Sequence, residues 1–341
     1  MINVGVIGYG YWGPNVARNL AEAPASRIVA ISDLKPERLA RALERHPAAR
    51  ATTDYREVLA DPAIDAIAVA TPVASHSEIA LEALRAGKHV LVEKPLATSS
   101  EQTLRLIDEA ARRKLVLMVD HTFVYTGAVR KIHELVAANG MGEIYYYDSV
   151  RVNLGLFQHD VNVIWDLAVH DLSILDYVLP NRPSAVAATG SSHITGEHEN
   201  IAYLTLYFDG SLLAHVHVNW LAPVKIRRTL IGGSRRMIVY DDLEPSEKVK
   251  LYDRGVTVTD EPESVYQMLI GYRIGDMWAP QLDMTEALRT EVMHFVRCIE
   301  GQDQPITGGE AGLRVVTILE AATRSMAERG RPVDLATGAP A

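Results

Sequence analysis

Six residues near the amino end constrain this chain more than any others: Gly8-Tyr9-Gly10-Tyr11-Trp12-Gly13. A short apolar run with β-branched residues, Ile2 to Ile7, leads into them, and a helical pattern from Pro14 to about Glu22 follows. Strand, glycine turn and helix in that order fit G-x-G-x-x-G. The first glycine allows the tight turn, the second lets a pyrophosphate approach the backbone, and the third lets the helix pack close to the strand. The free N–H groups and positive dipole end of the helix then face the phosphates. A second strand, Arg27 to Ser32, ends in Asp33, about twenty residues beyond the turn. A carboxylate there hydrogen-bonds the ribose hydroxyls of an adenosine and repels a 2′-phosphate, which favours NAD over NADP. Lys35 either weakens that preference or is a solvated loop charge. The competing reading is a plain βαβ unit that binds nothing.

Strands and helices keep alternating after Asp33. Helical stretches cover Pro36 to Arg45, Asp54 to Leu59, Ser75 to Ala86, and Ser99 or Ser100 through Arg113. Strands cover Asp65 to Ala70, Lys88 to Val92 and Leu115 to Val119. This predicts an α/β Rossmann domain over residues 1–121, a doubly wound parallel sheet whose ligand crevice lies at the carboxyl ends of its strands. Gly8, Asp33, Thr71, Glu93-Lys94 and Asp120-His121 all fall at such ends.

From residue 122 the character changes. Helices at Gly127 to Ala138 and Asp166 to Leu179 accompany a long strand, Glu143 to Asn153. A series of strands follows: Ser184 to Ile194, Ile201 to Phe208, Leu212 to Trp220, Lys225 to Ile231, Arg235 to Tyr240 and Lys248 to Tyr252. Turn signals such as Asp209-Gly210 and Gly232-Gly233 separate them. Strands in succession imply a large, mostly antiparallel sheet, hence a C-terminal α+β domain over 122–330 for substrate and oligomerisation. Helices at Thr285 to Glu300 and Gly309 to Glu328 are expected to pack back near the Rossmann domain, and 331–341 reads as a loose tail. A sheet with helices on one face needs cover on the other. The alternating Leu204, Leu206, Phe208 and Ala214, Val216, Val218 suggest an apolar side through which a homodimer or homotetramer forms.

Composition narrows the function classes. At 341 residues, 48% hydrophobic and 23% charged, the chain reads as a two-domain globular protein. A net charge of −9 with no basic run argues against a nucleic-acid surface. No apolar run reaches ~18 residues, which argues against a membrane span, and the expected location is cytoplasmic. His215 and His217 form H-x-H on a strand without further ligands nearby, so no metal is expected.

Several residues have the chemistry of a catalytic site. Lys94 ends a strand and is followed by Pro95, which biases it towards an extended conformation. Asp166 and His170 are four residues apart, on one helical face, and a carboxylate beside an imidazole raises its pKa and orients it for proton transfer. Taken alone, these read as a surface lysine and an ordinary helix-surface pair, with Asp171 a solvated charge. The stretch from Arg151 to Asn162 is rich in polar groups suited to hydroxyls, amides or phosphates, and is also simply a polar loop.

Together, Glu93-Lys94-Pro95, the turn Gly8 to Gly13, Thr71-Pro72 with His76, and Asp166 with His170 resemble the Gfo/Idh/MocA oxidoreductase family (glucose–fructose oxidoreductase, inositol dehydrogenase and rhizopine catabolism proteins). The resemblance runs from Ile2 to about Glu328. It implies a nicotinamide dinucleotide held by Gly8, Tyr9, Gly10, Tyr11, Trp12, Gly13, Asp33, Thr71, Pro72, His76, Glu93, Lys94 and His121. It implies catalysis by Lys94, Asp166 and His170, with His170 moving the hydroxyl proton. Tyr11 and Trp12 depart from the small residues often found inside that turn. The run Asn153 to Asp166 is similar to a branch associated with nucleotide sugars, which includes UDP-N-acetylglucosamine 3-dehydrogenases. The expected substrate is therefore an NDP-hexose oxidised at C3, bound by Lys94, Arg151, Asn153, Gln158, Asn162, Asp166 and His170. A free inositol or hexose dehydrogenase is the alternative, and a non-catalytic NAD-binding sensor or pathway scaffold is the alternative of another class.

Overall fold

The computed structural model describes residues 1–155, 161–194, 198–258 and 270–335. The expected substrate residue Gln158 lies outside them, as does His159. The first half runs β1 (Ile2–Ile7), α1 (Gly13–Glu22), β2 (Ser26–Ser32), α2 (Pro36–Arg45), β3 (Arg50–Thr52), α3 (Tyr55–Leu59), β4 (Ala66–Val69), α4 (His76–Arg85), β5 (His89–Glu93), α5 (Ser100–Arg113) and β6 (Leu117–Asp120). Then come α6 (Gly127–Ala137), β7 (Ile144–Leu154), α7 (Val169–Val178), β8 (Pro183–Ser191), β9 (Ile201–Phe208), β10 (Leu213–Asn219) and β11 (Leu221–Gly233). The chain closes with β12 (Met237–Asp241), β13 (Val249–Tyr252), β14 (Gly255–Val258), β15 (Ile270–Arg273), β16 (Met277–Trp278), α8 (Ala287–Ile299), α9 (Gly309–Ala327) and β17 (Val333–Asp334).

Two compact units emerge, one of Met1–Thr126 with Thr285–Glu320, the other of Gly127–Met284 with Ala321–Ala341. In the first, a six-stranded parallel sheet has the order β3-β2-β1-β4-β5-β6. Its central strands are apolar throughout because both faces are covered: every residue of β4 is buried, as are Val90, Leu91 and Val92 of β5. Leu84, Leu96 and Leu106 pack into the same core. Thr285 to Glu320 belongs to this unit, so α8 and the first part of α9 complete the Rossmann layer. Arg18 and Asn19 of α1 both donate to Glu286, at the start of α8.

In the second unit, a nine-stranded sheet has the order β16-β13-β12-β11-β7-β10-β9-β8-β17. It is mixed rather than purely antiparallel, since β10 runs parallel to β7. The supposed tail contributes an edge: Val333 and Asp334 pair with Val186 and Ala185 of β8. Alternation in β9 and β10 sorts the two faces. Leu204, Leu206, Ala214, Val216 and Val218 are wholly buried, so they form this unit's own core rather than an apolar surface. The opposite face carries Tyr203, Tyr207 and Leu213, each at least 38% exposed, with the Tyr203 ring stacked on His217 at 4.4 Å. Among the described residues, no helix is long and apolar enough to cross a membrane.

Candidate active site

The glycine turn is dictated by backbone geometry. Gly8 has φ +96°, and a Cβ there would lie 2.5 Å from the Ala70 carbonyl oxygen. A Cβ on Gly13 would lie 2.2 Å from the Gly8 carbonyl oxygen, so α1 can start beside β1 only with glycine at both positions. No side chain caps α1 and Pro14 occupies its first turn, which leaves amino-terminal N–H groups for an anion. The Tyr9 N–H donates to Asp33 Oδ2 at 2.7 Å and the Lys35 N–H donates to Asp33 Oδ1 at 2.9 Å. Arg38 adds an ion pair at 3.3 Å. Asp33 is thereby fixed at the end of β2 where ribose hydroxyls are read. The Tyr9 ring is buried edge-on against His46, so this residue acts through its backbone, whereas Tyr11 is 86% exposed.

His76 is wholly buried, its ring nitrogens 2.8 Å from the carbonyl oxygens of Thr71 and Pro95. It therefore ties the loop after β4 to the turn after β5, where the Lys94–Pro95 peptide bond is cis. Pro72 lies exposed on the first of these loops. Glu93 and Asp120 are register partners at the ends of β5 and β6. His121 follows, buried, with no hydrogen-bond partner for either ring nitrogen among the described residues. Burial first, and the Lys94 charge second, lower its pKa to about 3, so the ring is neutral near pH 7. A buried imidazole with unmet hydrogen-bonding capacity at a crevice of strand ends is suited to a polar ligand. With the uncapped helix, the glycine cradle and the oriented Asp33, it fits a nicotinamide dinucleotide whose adenosine ribose lacks a 2′-phosphate.

In the second unit, a π-helical turn, Ile164–Ala168, precedes α7 and carries Asp166, where the sequence predicts an ordinary helix start. Such turns recur at functional sites. Asp166 Oδ2 accepts from the indole N–H of buried Trp220 at 3.0 Å. Asn162 Oδ1 accepts from the Trp165 N–H at 3.4 Å, and its Nδ2 donates to Glu199 at 3.0 Å, so this amide holds the turn. Asn153 and His170 are half-buried. Two expectations need correction. Asp171 is 2% exposed and is not a solvated charge. Arg151 is buried beside it, its Nε donating to Asp171 Oδ2 at 2.7 Å, while Ser149 Oγ donates to Oδ1 at 2.6 Å. The guanidinium expected to bind a diphosphate is instead spent on fastening α7 to β7, because strand alternation turns Arg151 to the same inner face as Tyr147 and Ser149.

Sequence reasoning placed Asp120 at a crevice-facing strand end without a role, and passed over Trp220 and Glu291. Glu291 had a signal, since it shares the apolar stripe of α8 with Leu288, Val292 and Phe295. Trp220 had none.

Comparison with known proteins matches the same two halves. Residues 2–121 match the oxidoreductase family with an NAD-binding Rossmann fold, and residues 129–239 match the GFO/IDH/MocA C-terminal domain. The myo-inositol 2-dehydrogenase of Thermotoga maritima is 24% identical, over 96% of this chain and 97% of the relative. A solved UDP-N-acetylglucosamine 3-dehydrogenase from Acidithiobacillus ferrooxidans superposes with a TM-score of 0.81 at 27% identity, covering 97% of this chain and 99% of that one. A levoglucosan dehydrogenase solved with NADH and levoglucosan gives a TM-score of 0.84 at 22% identity, covering 98% and 100%, and shares the fold. The dinucleotide cradle and the strand-end residues thus have their place in a known lineage: the chain belongs to the Gfo/Idh/MocA family of NAD-binding oxidoreductases.

Proposed function

We propose that this chain oxidises a secondary alcohol of a nucleotide-linked hexose, at C3 of a UDP-N-acetylglucosamine-type sugar. The observation that carries the reading is similarity over nearly the whole chain to a UDP-N-acetylglucosamine 3-dehydrogenase, 28% identical over 92% of this chain and 94% of the relative. When bound, NAD⁺ supplies the hydride acceptor, and Gly8 to Gly13, Asp33 and His121 hold it. His170 takes the proton of the reacting hydroxyl, and Asp166, aimed by Trp220, orients the sugar and the imidazole. The Lys94 ammonium stabilises negative charge as it develops on the oxygen that becomes a carbonyl. In the reverse direction the same groups return the proton. Thr71, Pro72 and Glu93 shape the cofactor side, and Asn153 and Asn162 the substrate side. With Arg151 committed to Asp171, the diphosphate is held by other groups.

The inositol reading keeps a specific support in the Thermotoga relative, and Arg151 burial removes one argument against it. The face bearing Tyr203, Tyr207 and Leu213 pairs with a second copy, giving a dimer or tetramer. The deciding test follows NADH absorbance with UDP-N-acetylglucosamine, other UDP- and dTDP-hexoses, myo-inositol and glucose, with the product carbon located by mass spectrometry. Turnover of a nucleotide sugar with a 3-keto product is expected. Turnover confined to inositol or glucose would overturn the nucleotide-sugar reading.

A further inference from the structure

Trp12 is a bulky residue inside a glycine turn, and its side chain is neither core nor free surface. It is half-buried, and its indole N–H donates to Asp120 Oδ2 at 2.5 Å. Trp12 follows β1, whereas Asp120 ends β6, three positions further along the order β1-β4-β5-β6. At the usual strand spacing that is a span of about 14 Å. The link between them therefore runs over the carboxyl ends of β4 and β5.

That path has a meaning in a dinucleotide site. Asp33 at the end of β2 marks the adenosine end, and the glycine turn marks the pyrophosphate. The remaining half of the molecule must extend to the other side of β1, over β4, β5 and β6. We propose that Trp12, clamped by Asp120, is a positioning residue that walls the nicotinamide half of the bound dinucleotide. This rests on the family reading of the crevice as a dinucleotide site.

The clamp is built to be rigid. Asp120 is 2% exposed and also accepts from Thr122 Oγ1. Glu291 of α8 is wholly buried and faces it. Burial first, then Asp120 and Glu93, raise the Glu291 pKa well above its ordinary value, so this side chain favours its neutral form beside Asp120. The helices that carry Trp12 and Glu291 are joined in turn by Arg18, Asn19 and Glu286.

Calorimetric titration with NADH and with ADP-ribose, which lacks only the nicotinamide, isolates this role. Trp12→Phe removes the N–H and keeps an aromatic ring, and Asp120→Asn weakens the acceptor. Each should weaken NADH binding by about tenfold, the scale of one buried hydrogen bond, while ADP-ribose binding stays within about twofold. Equal losses for both ligands would make Trp12 a mere shaper of the glycine turn and overturn the proposal, as would unchanged NADH affinity in both variants. If the unaltered protein bound neither ligand, the dinucleotide reading of the crevice would fall, and this inference with it.

Discussion

Asp171→Asn tests the idea that α7 is fastened by a buried ion pair. Arg151 and Asp171 have side chains 4% and 3% exposed, and the bond between them is 2.7 Å. The asparagine keeps the shape and can still accept from Ser149, but it leaves the guanidinium buried without its counter-charge. Removing one partner of such a pair costs about 3–5 kcal/mol. For a unit of this size that lowers the unfolding midpoint by roughly 6–20 °C. Trp165 and Trp220 both lie in the unit that carries the pair, so their fluorescence reports its melting, and urea titration supplies the free energy. The paired change Arg151→Met with Asp171→Leu removes both charges and should recover most of the loss, because an apolar replacement of a whole pair is often neutral. With Arg151→Met and Asp171→Leu also made singly, the cycle yields a coupling of about 2–3 kcal/mol. If Asp171→Asn stays within about 1 kcal/mol of the parent, or the double variant is no better than the single one, the pair is not what fastens α7.

Two further predictions concern protons in the first unit. His121 is depressed to about 3 in the folded chain, against an ordinary 6.5. Its stability contribution is therefore complete above pH 6.5 and declines as pH falls towards 3, by about 1.4 kcal/mol per unit. At pH 5 the cost is about 2 kcal/mol, and His121→Gln should flatten that limb of a denaturation-versus-pH curve; a parallel curve would refute the neutral, buried imidazole. Glu291 has the opposite sign. Its folded pKa is raised above 4.5, so its contribution is complete below pH 4.5 and declines as pH rises, while the folded chain keeps a proton that the unfolded chain releases. Glu291→Gln should gain stability over the parent by up to about 1.4 kcal/mol per pH unit above 4.5, measured by urea unfolding at pH 5, 6 and 7; a constant difference would show that Glu291 is ionised.

Much of the first unit was legible because backbone geometry leaves few choices. The φ of Gly8 and the close approach of Gly13 to Gly8 demand glycine, and Asp33 sits where the turn spacing puts it. Apolar runs such as Ala66–Val69 announce a strand covered on both faces. The second unit was less legible. A period-2 reading of Tyr147, Ser149 and Arg151 would have turned Arg151 inward, but an arginine in a polar stretch looks like a surface group until its partner is known. That partner, Asp171, lies on a helix twenty residues away, and no local pattern links the two. The π turn at Ile164–Ala168 was hidden for a similar reason, since its sequence has no proline or glycine to mark a change of helical pitch. Trp12 was visible as an oddity, but its link to Asp120 spans 108 residues and three strands.

Histidines 76 and 121 show why residue identity alone leaves a site half read. Both are buried in the first unit and both follow a strand of its sheet, so from the sequence each is a candidate cofactor ligand of equal standing. The structure separates them by what their nitrogens touch. His76 has a carbonyl oxygen 2.8 Å from each ring nitrogen and joins two loops. Replacing it should disturb both loops and, through them, the turn that presents Lys94. The ring nitrogens of His121 have no hydrogen-bond partner among the described residues, and the cost of burying them so is offset only if something else meets them. A strut and a recognition group thus share one residue type, and the unmet one marks where a ligand belongs.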